Sequence, residues 1–148
     1  MIGSSLGPGS ALPEWIERLE SATFGDSWGA LGDHERIWTE PPDGFARWMV
    51  VPEGGEAELL RIAVDPSARR KGLARTLLRA AEADLRNLGI RSLHLEVRLS
   101  NAAARTLYES EGWRLQGRRP RYYRDGEDAA LYTKSLESGV RSPEQQTR

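Results

Sequence analysis

The chain contains no cysteine, which excludes disulfides, thiolate metal sites and a cysteine acyl-enzyme. It has two histidines, His34 and His94, and with no cysteine beside either, no metal site is expected. An excess of charge is missing as well. Twenty-one Lys and Arg stand against 22 Asp and Glu, a net charge of −1. Bulk electrostatics therefore argues for neither a nucleic-acid binder nor a membrane-surface protein. No apolar run approaches the length of a membrane span, and Met1–Ala11 has neither the basic start nor the apolar run of a leader. A cytoplasmic location is the expectation. There is no internal repeat, and 148 residues suit one domain with a real core.

What is present reads as alternating strands and helices. Residues 1–11 (MIGSSLGPGSA) carry no core-forming content and read as a disordered lead to a domain spanning 12–136. Leu12, Trp15, Ile16 and Leu19 recur at helical spacing, predicting a helix from Pro13 to about Ala22. Phe24–His34, with three glycines and Trp28, reads as a loop or short irregular helix. Strands follow at 36–40, 45–51 and 57–64, joined by the turns Pro41-Pro42-Asp43-Gly44 and Pro52-Glu53-Gly54-Gly55. Leu73, Leu77, Ala81, Leu85 and Leu88 form the apolar stripe of a helix stopped by Gly89. Residues 91–98 alternate, with Leu93, Leu95 and Val97 on one face and His94 and Glu96 on the other. Ser100 or Asn101 caps a helix running to Glu111, stopped by Gly112. Strands at 113–119 and 129–136 close the domain, and a polar tail, read as disordered, follows from Glu137. The layout is α/β with a mixed, mostly antiparallel central sheet flanked by helices.

The most informative stretch is LLRIAVDPSARRKGLARTLL, residues 59–78. A strand ends, a basic loop turns tightly around Gly72, and a helix begins. Free N–H groups of that helix's first turn, with its dipole, favour a phosphate or pyrophosphate. Gly72 and Ala74 let a ligand approach the backbone closely. There is neither GxxxxGK[ST] nor a GxGxxG after a strand, so the common nucleotide loops do not fit. The pattern [QR]xxGx[GA] does, through Arg69, Gly72 and Ala74.

That loop closely resembles the pyrophosphate loop of the GCN5-related N-acetyltransferases (GNAT superfamily). A second signature, LEVRLSNAAARTLYESEGW at 95–113, continued by RRPRYYRDGEDAALY at 118–132, resembles the far end of the same core. It looks most like the RimI-type enzymes, which acetylate the N-terminal alanine of a small-subunit ribosomal protein. The resemblance runs from about Leu59 to Leu136; Gly25–Gly44 is glycine-rich and departs from those enzymes' substrate loop.

The resemblance implies a GNAT fold with strands splayed at the cofactor site, and acetyl-coenzyme A as cofactor. Backbone groups of Ile62, Ala63 and Val64 would run beside the pantetheine arm. Arg70, Lys71, Gly72, Leu73, Ala74 and Arg75 would cradle the pyrophosphate, and Asn101 would hydrogen-bond the cofactor's amide portion. Glu96 matches the general base, Tyr108 the general acid that reprotonates the leaving thiolate, and Tyr122 and Tyr123 the walls of a peptide slot. The acceptor implied is a protein α-amine, with a ribosomal protein as the partner. The roles suit the chemistry. Attack on a thioester needs a neutral amine and a proton for the departing sulfur, and an α-amine, near 8, loses its proton more readily than Lys at about 10.4. A lysine, a small-molecule amine or an antibiotic is the alternative acceptor, and a non-catalytic acyl-coenzyme A sensor or ribosome-associated module the alternative class. Judged singly, Gly72 is a helix-start glycine, Glu96 an outward strand residue and Tyr108 a core tyrosine. The five arginines between Arg114 and Arg124 read as a hairpin's solvated face rather than a nucleic-acid patch.

Overall fold

A computed structural model describes residues 5–137. Alternating apolar residues after Asp33 form β1 (Glu35–Glu40) and β2 (Gly44–Val51), which pair antiparallel around the Pro41–Gly44 turn. β3 (Glu56–Val64) pairs antiparallel with β2. The chain then crosses through α2 (Leu73–Asn87) to β4 (Ser92–Arg98), which lies parallel to β3. A further helix, α3 (Ala102–Ser110), leads to β5 (Arg114–Arg119) and β6 (Ala129–Ser135). β6 inserts between β4 and β5, so the six-stranded sheet has the order β1-β2-β3-β4-β6-β5. Only the β3–β4 pair is parallel. The first helix, α1 (Glu14–Phe24), ends at Gly25 in the left-handed conformation.

Each sheet face has its own core, as the two-residue strand period requires. Leu77, Leu78, Ala81 and Leu85 of α2 bury against Trp38, Ala46, Trp48, Leu59 and Leu93. This face holds an aromatic chain, Trp38–Trp48–Trp113–Tyr108–Tyr132, with successive ring centroids 5.9–6.5 Å apart. On the opposite face, Ile16 and Leu19 of α1 meet Ile37, Phe45 and Ala63. α2 lies close against β2 because residue 44 is glycine. A Cβ there would sit 3.0 Å from the Ala63 carbonyl oxygen and 3.2 Å from Leu73 and Leu77 side-chain carbons.

Two expectations need correction. The part of the lead that is described, residues 5–11, is not disordered. Leu6 exchanges both backbone hydrogen bonds with Ile37, at 2.9 and 3.1 Å, and Gly9 N–H donates to the Leu31 carbonyl. Leu6 also packs on the α1-side core, so one apolar residue among glycines suffices to seat the segment beside β1. Residues 1–4, and 138–148 of the expected tail, lie outside the described residues. Second, Leu88 leaves the apolar stripe, because α2 ends at Asn87 and Leu88 is exposed.

Candidate active site

β3 and β4 are paired only from Glu56–Leu59 against Ser92–Leu95. There β3 carries an extra residue. Arg47 pairs with Arg61 while Trp48 pairs with Leu59, which leaves Leu60 as a bulge. Beyond it β3 stays with β2, while Glu96–Arg98 follow β6. The two strands part, and among the described residues the inner backbone edges of 60–64 and 96–98 have no strand partner across the gap. Ile62, Ala63 and Val64 occupy this free edge. Ala63's side chain is sealed in the α1-side core, which leaves its backbone to face a ligand.

A cavity of about 630 Å³ fills the gap. Glu96 enters it from β4, Asn101 and Tyr108 from α3, and Tyr122 and Tyr123 from the segment before β6, with Ile62 on β3 opposite. Glu96 and Tyr108 belong to opposite sheet faces and meet at the same opening because the sheet is split there. Asn101 caps α3, its Oδ1 accepting from Ala104 N–H at 3.1 Å, so one end of that amide is already used by the helix.

Glu96's side chain is 18% exposed and pairs with the Arg119 guanidinium at 3.1 Å. The Glu96 carboxylate beside its hydroxyl raises Tyr122 above the usual phenol value. Tyr123 is raised first by burial and then by Glu96. The two tyrosine rings pack edge to face, 5.0 Å between centroids, and Arg98 and Arg119 lie over Tyr123 and Tyr122 respectively. Tyr108 is 5% exposed, and burial pushes its phenol up to about 12. It therefore keeps its proton at neutral pH, as a proton donor must.

At the end of the gap a second cavity, about 270 Å³, is lined by Val64, Arg69, Arg70, Gly72, Ala74 and Arg75 among others. Gly72 stands at the N-terminus of α2 with φ +75°, and among the described residues no side chain caps that helix. A Cβ on Gly72 would meet nothing within 4 Å, so the space in front of the first-turn N–H groups is open. Arg70 also adopts a left-handed φ of 66°, which tightens the turn. Leu73 packs against the α2-side core and also lines this cavity, where its backbone N–H belongs to the first turn of α2. Lys71 shares the loop without lining the cavity. Arg75 reaches toward α3, pairing with Glu111 at 3.2 Å and donating to Ser110 Oγ.

Several residues here escaped the sequence reading. The sequence pattern puts Arg119 among a hairpin's solvated arginines, yet it pairs with Glu96 at 3.1 Å. Glu58 lies on the cavity wall, where burial first and Glu96 second raise its carboxyl above the ordinary value. Strand register alone pointed to it: Glu58 is opposite His94, so it shares a face with Glu96. The outer wall comes from the glycine-rich segment. Buried Glu20 accepts from Ser27 Oγ at 3.0 Å and Trp28 N–H at 3.1 Å, and pairs with Arg47 and Arg61. Arg61 in turn lies 3.6 Å from the Trp28 ring centroid and 4.4 Å from that of Phe24.

A sheet split between two parallel strands, an anion cradle at the end of the split, and a carboxylate and a phenol facing one opening together define an acyl-coenzyme A transferase architecture. The family model described as Acetyltransferase (GNAT) family matches residues 10–113, and the chain belongs to that family. It is 47% identical over 89 residues to the [Ribosomal protein bS18]-alanine N-acetyltransferase of Escherichia coli (strain K12), covering 59% of this chain and 59% of that protein. The chain thus matches about three-fifths of the length of that curated relative. Among solved structures, the ribosomal-protein-S18-alanine N-acetyltransferase from Escherichia coli superposes with a TM-score of 0.74 at 32% identity, over 96% of this chain and 99% of that one. Arabidopsis thaliana NAA60 in complex with a bisubstrate analogue shares the fold, with a TM-score of 0.75 at 16% identity over 93% and 100% of the two chains. The donor used by this family is acetyl-coenzyme A. The residues present fit it, since the uncapped α2 N-terminus, the open space at Gly72 and the flanking Arg69 and Arg70 suit a pyrophosphate.

Proposed function

We propose that the chain acetylates protein N-terminal α-amines, with the N-terminal alanine of ribosomal protein bS18 as the first candidate acceptor. Bound along the β3–β4 gap, acetyl-coenzyme A supplies an activated acetyl thioester. Gly72, Leu73 and Ala74 would hold its pyrophosphate through backbone N–H groups, helped by the charges of Arg70, Lys71 and Arg75, and the edge of 62–64 and Asn101 would offer hydrogen bonds to its arm. A Glu96 carboxylate oxygen takes a proton from the acceptor ammonium, directly or through one water. The neutral amine would then attack the thioester carbonyl; as the C–S bond breaks, the Tyr108 Oη would give its proton to the departing thiolate and regain one from the nitrogen, which sheds its second proton on becoming an amide. Tyr122 and Tyr123 would wall the acceptor's path, and a backbone N–H on the β3 edge beside the Leu60 bulge would face the developing oxyanion.

The observation that carries this reading is that Glu96 and Tyr108 line one cavity from opposite sheet faces, in a chain whose relative at 32% identity, matched over nearly its whole length, is named for this reaction. A binding module that kept only the cofactor loop has no need of both groups. The test is an intact-mass scan of a ribosomal-protein mixture incubated with the enzyme and acetyl-coenzyme A. One acetyl on the N-terminus of a single protein is expected. Acetylation confined to lysines points to the other acceptor class, and no transfer to any amine to a sensor.

A further inference from the structure

Glu58 is half-buried in the wall of the acceptor cavity, and among the described residues no cation lies within ion-pair distance of it. The two basic side chains near it face other partners. His94, opposite Glu58 across the β3–β4 ladder, sits 3.3 Å from Glu56, and Arg119 is held by Glu96. The other groups facing Glu58 are Glu96 itself and Tyr122, which Glu58 raises slightly. A carboxylate partly withdrawn from water beside a second carboxylate is costly unless a positive charge arrives. Burial and Glu96 both raise its carboxyl, as an unmet need for a cation would.

The arriving charge is not that of the reacting amine. That nitrogen must be neutral when it attacks, so a carboxylate stabilising its ammonium would oppose the reaction. Glu96, already matched to Arg119, is the group suited to remove that proton. Glu58 suits a charge that persists from binding to product.

Building on the acetyltransferase reading above, we propose that Glu58 is a specificity-determining residue that selects acceptors bearing a second positive charge one side chain away from the amine to be acetylated. For a peptide acceptor that charge is a Lys or Arg at the second position; for a small molecule it is the far nitrogen of a diamine. The preference acts through binding, in ground state and transition state alike, so it belongs to KM more than to kcat.

The test compares initial rates on three peptides that differ only at the second residue, Ala-Lys, Ala-norleucine and Ala-Glu, with the full chain and its E58Q and E58K variants. In the wild-type protein kcat/KM should favour Ala-Lys over Ala-norleucine by about tenfold, mostly through KM. In E58Q that ratio should fall to near one, and in E58K the order should invert toward Ala-Glu. A merely structural disturbance scales all three peptides together and leaves the ratios untouched. An undiminished ratio in E58Q, or no charge preference in the wild type, overturns the proposal. If E58K fails to fold, the isosteric E58Q decides alone. If no peptide is acetylated, a linear diamine and the monoamine of equal chain length replace them. A diamine preference lost in E58Q then supports Glu58's role while refuting the peptide acceptor. No preference between the amines overturns Glu58's role, and no transfer to either overturns both readings.

Discussion

Glu96 and Tyr108 have different surroundings, and these set what each can do. Glu96 is partly exposed and pairs with the Arg119 guanidinium at 3.1 Å, surroundings that suit a carboxylate acting as a proton acceptor. Tyr108 lies 5.9 Å from Trp113 and 6.3 Å from Tyr132, ring centroid to centroid, and its burial keeps the hydroxyl protonated well past neutrality. Y108F should lower kcat by about a hundredfold or more with the acetyl-coenzyme A KM changed less than about twofold, measured by thiol release. E96Q should lower kcat by a similar factor, and turnover that survives the double variant would remove both from the mechanism. Both residues were legible as motif positions. Arg119 and Glu58 were not, because their roles depend on a strand register and a hairpin return that no local pattern encodes.

The junction of α2 with α3 and β6 depends on Glu111. Arg79 holds its carboxylate bidentately at 2.8 and 3.0 Å, Arg75 joins at 3.2 Å, and Lys134 Nζ donates to its carbonyl while also pairing with Glu82. The Arg79 hydrogen bond chiefly holds the Glu111 carboxyl below its ordinary value of 4.5. Its contribution is therefore present above that value and is lost as acid protonates the group. Between about pH 5 and pH 3 the melting temperature of the wild type should fall more steeply than that of E111Q; parallel curves would show that the pairs contribute nothing. At the other end of α2, G72V should raise the acetyl-coenzyme A KM by about tenfold or more, because a β-branched residue is strained at φ +75° by about 1–2 kcal/mol and fills the cradle. Isothermal titration with coenzyme A checks this, and unchanged affinity would dissociate the loop from the pyrophosphate. Helix ends and strands were legible from alternation and glycine stops. The bulge at Leu60 was not, since LLRIAV reads as an unbroken strand.

Across the molecule, the two sheet faces carry different tasks. The α2 face is an aromatic and aliphatic core. The α1 face combines a small apolar cluster with a buried ionic group in which Arg47 (1% exposed) meets Glu20 (0% exposed) and Glu35. Arg47 also donates to the Ala30 carbonyl at 3.2 Å, so this group ties the glycine-rich segment to the sheet and sets the acceptor wall. R47M should cost about 3–5 kcal/mol in urea unfolding, because Glu20 is left buried with less compensation, and pairing it with E20M should recover much of the loss. A single-variant loss under about 1 kcal/mol would mean that water reaches Glu20. Why the segment resisted sequence reading is visible here. Its order comes from Glu20, Arg47 and Arg61, which stand on three different elements, and not from its own glycines. The central claim, transfer of acetyl to a protein α-amine by Glu96 and Tyr108, is tested most directly by mass spectrometry of a peptide carrying the bS18 N-terminus after incubation with acetyl-coenzyme A. The account predicts one added acetyl, located on the α-amine and absent with the double variant E96Q/Y108F. Acetyl found on a lysine side chain, or on the α-amine with the double variant at the wild-type rate, would contradict it.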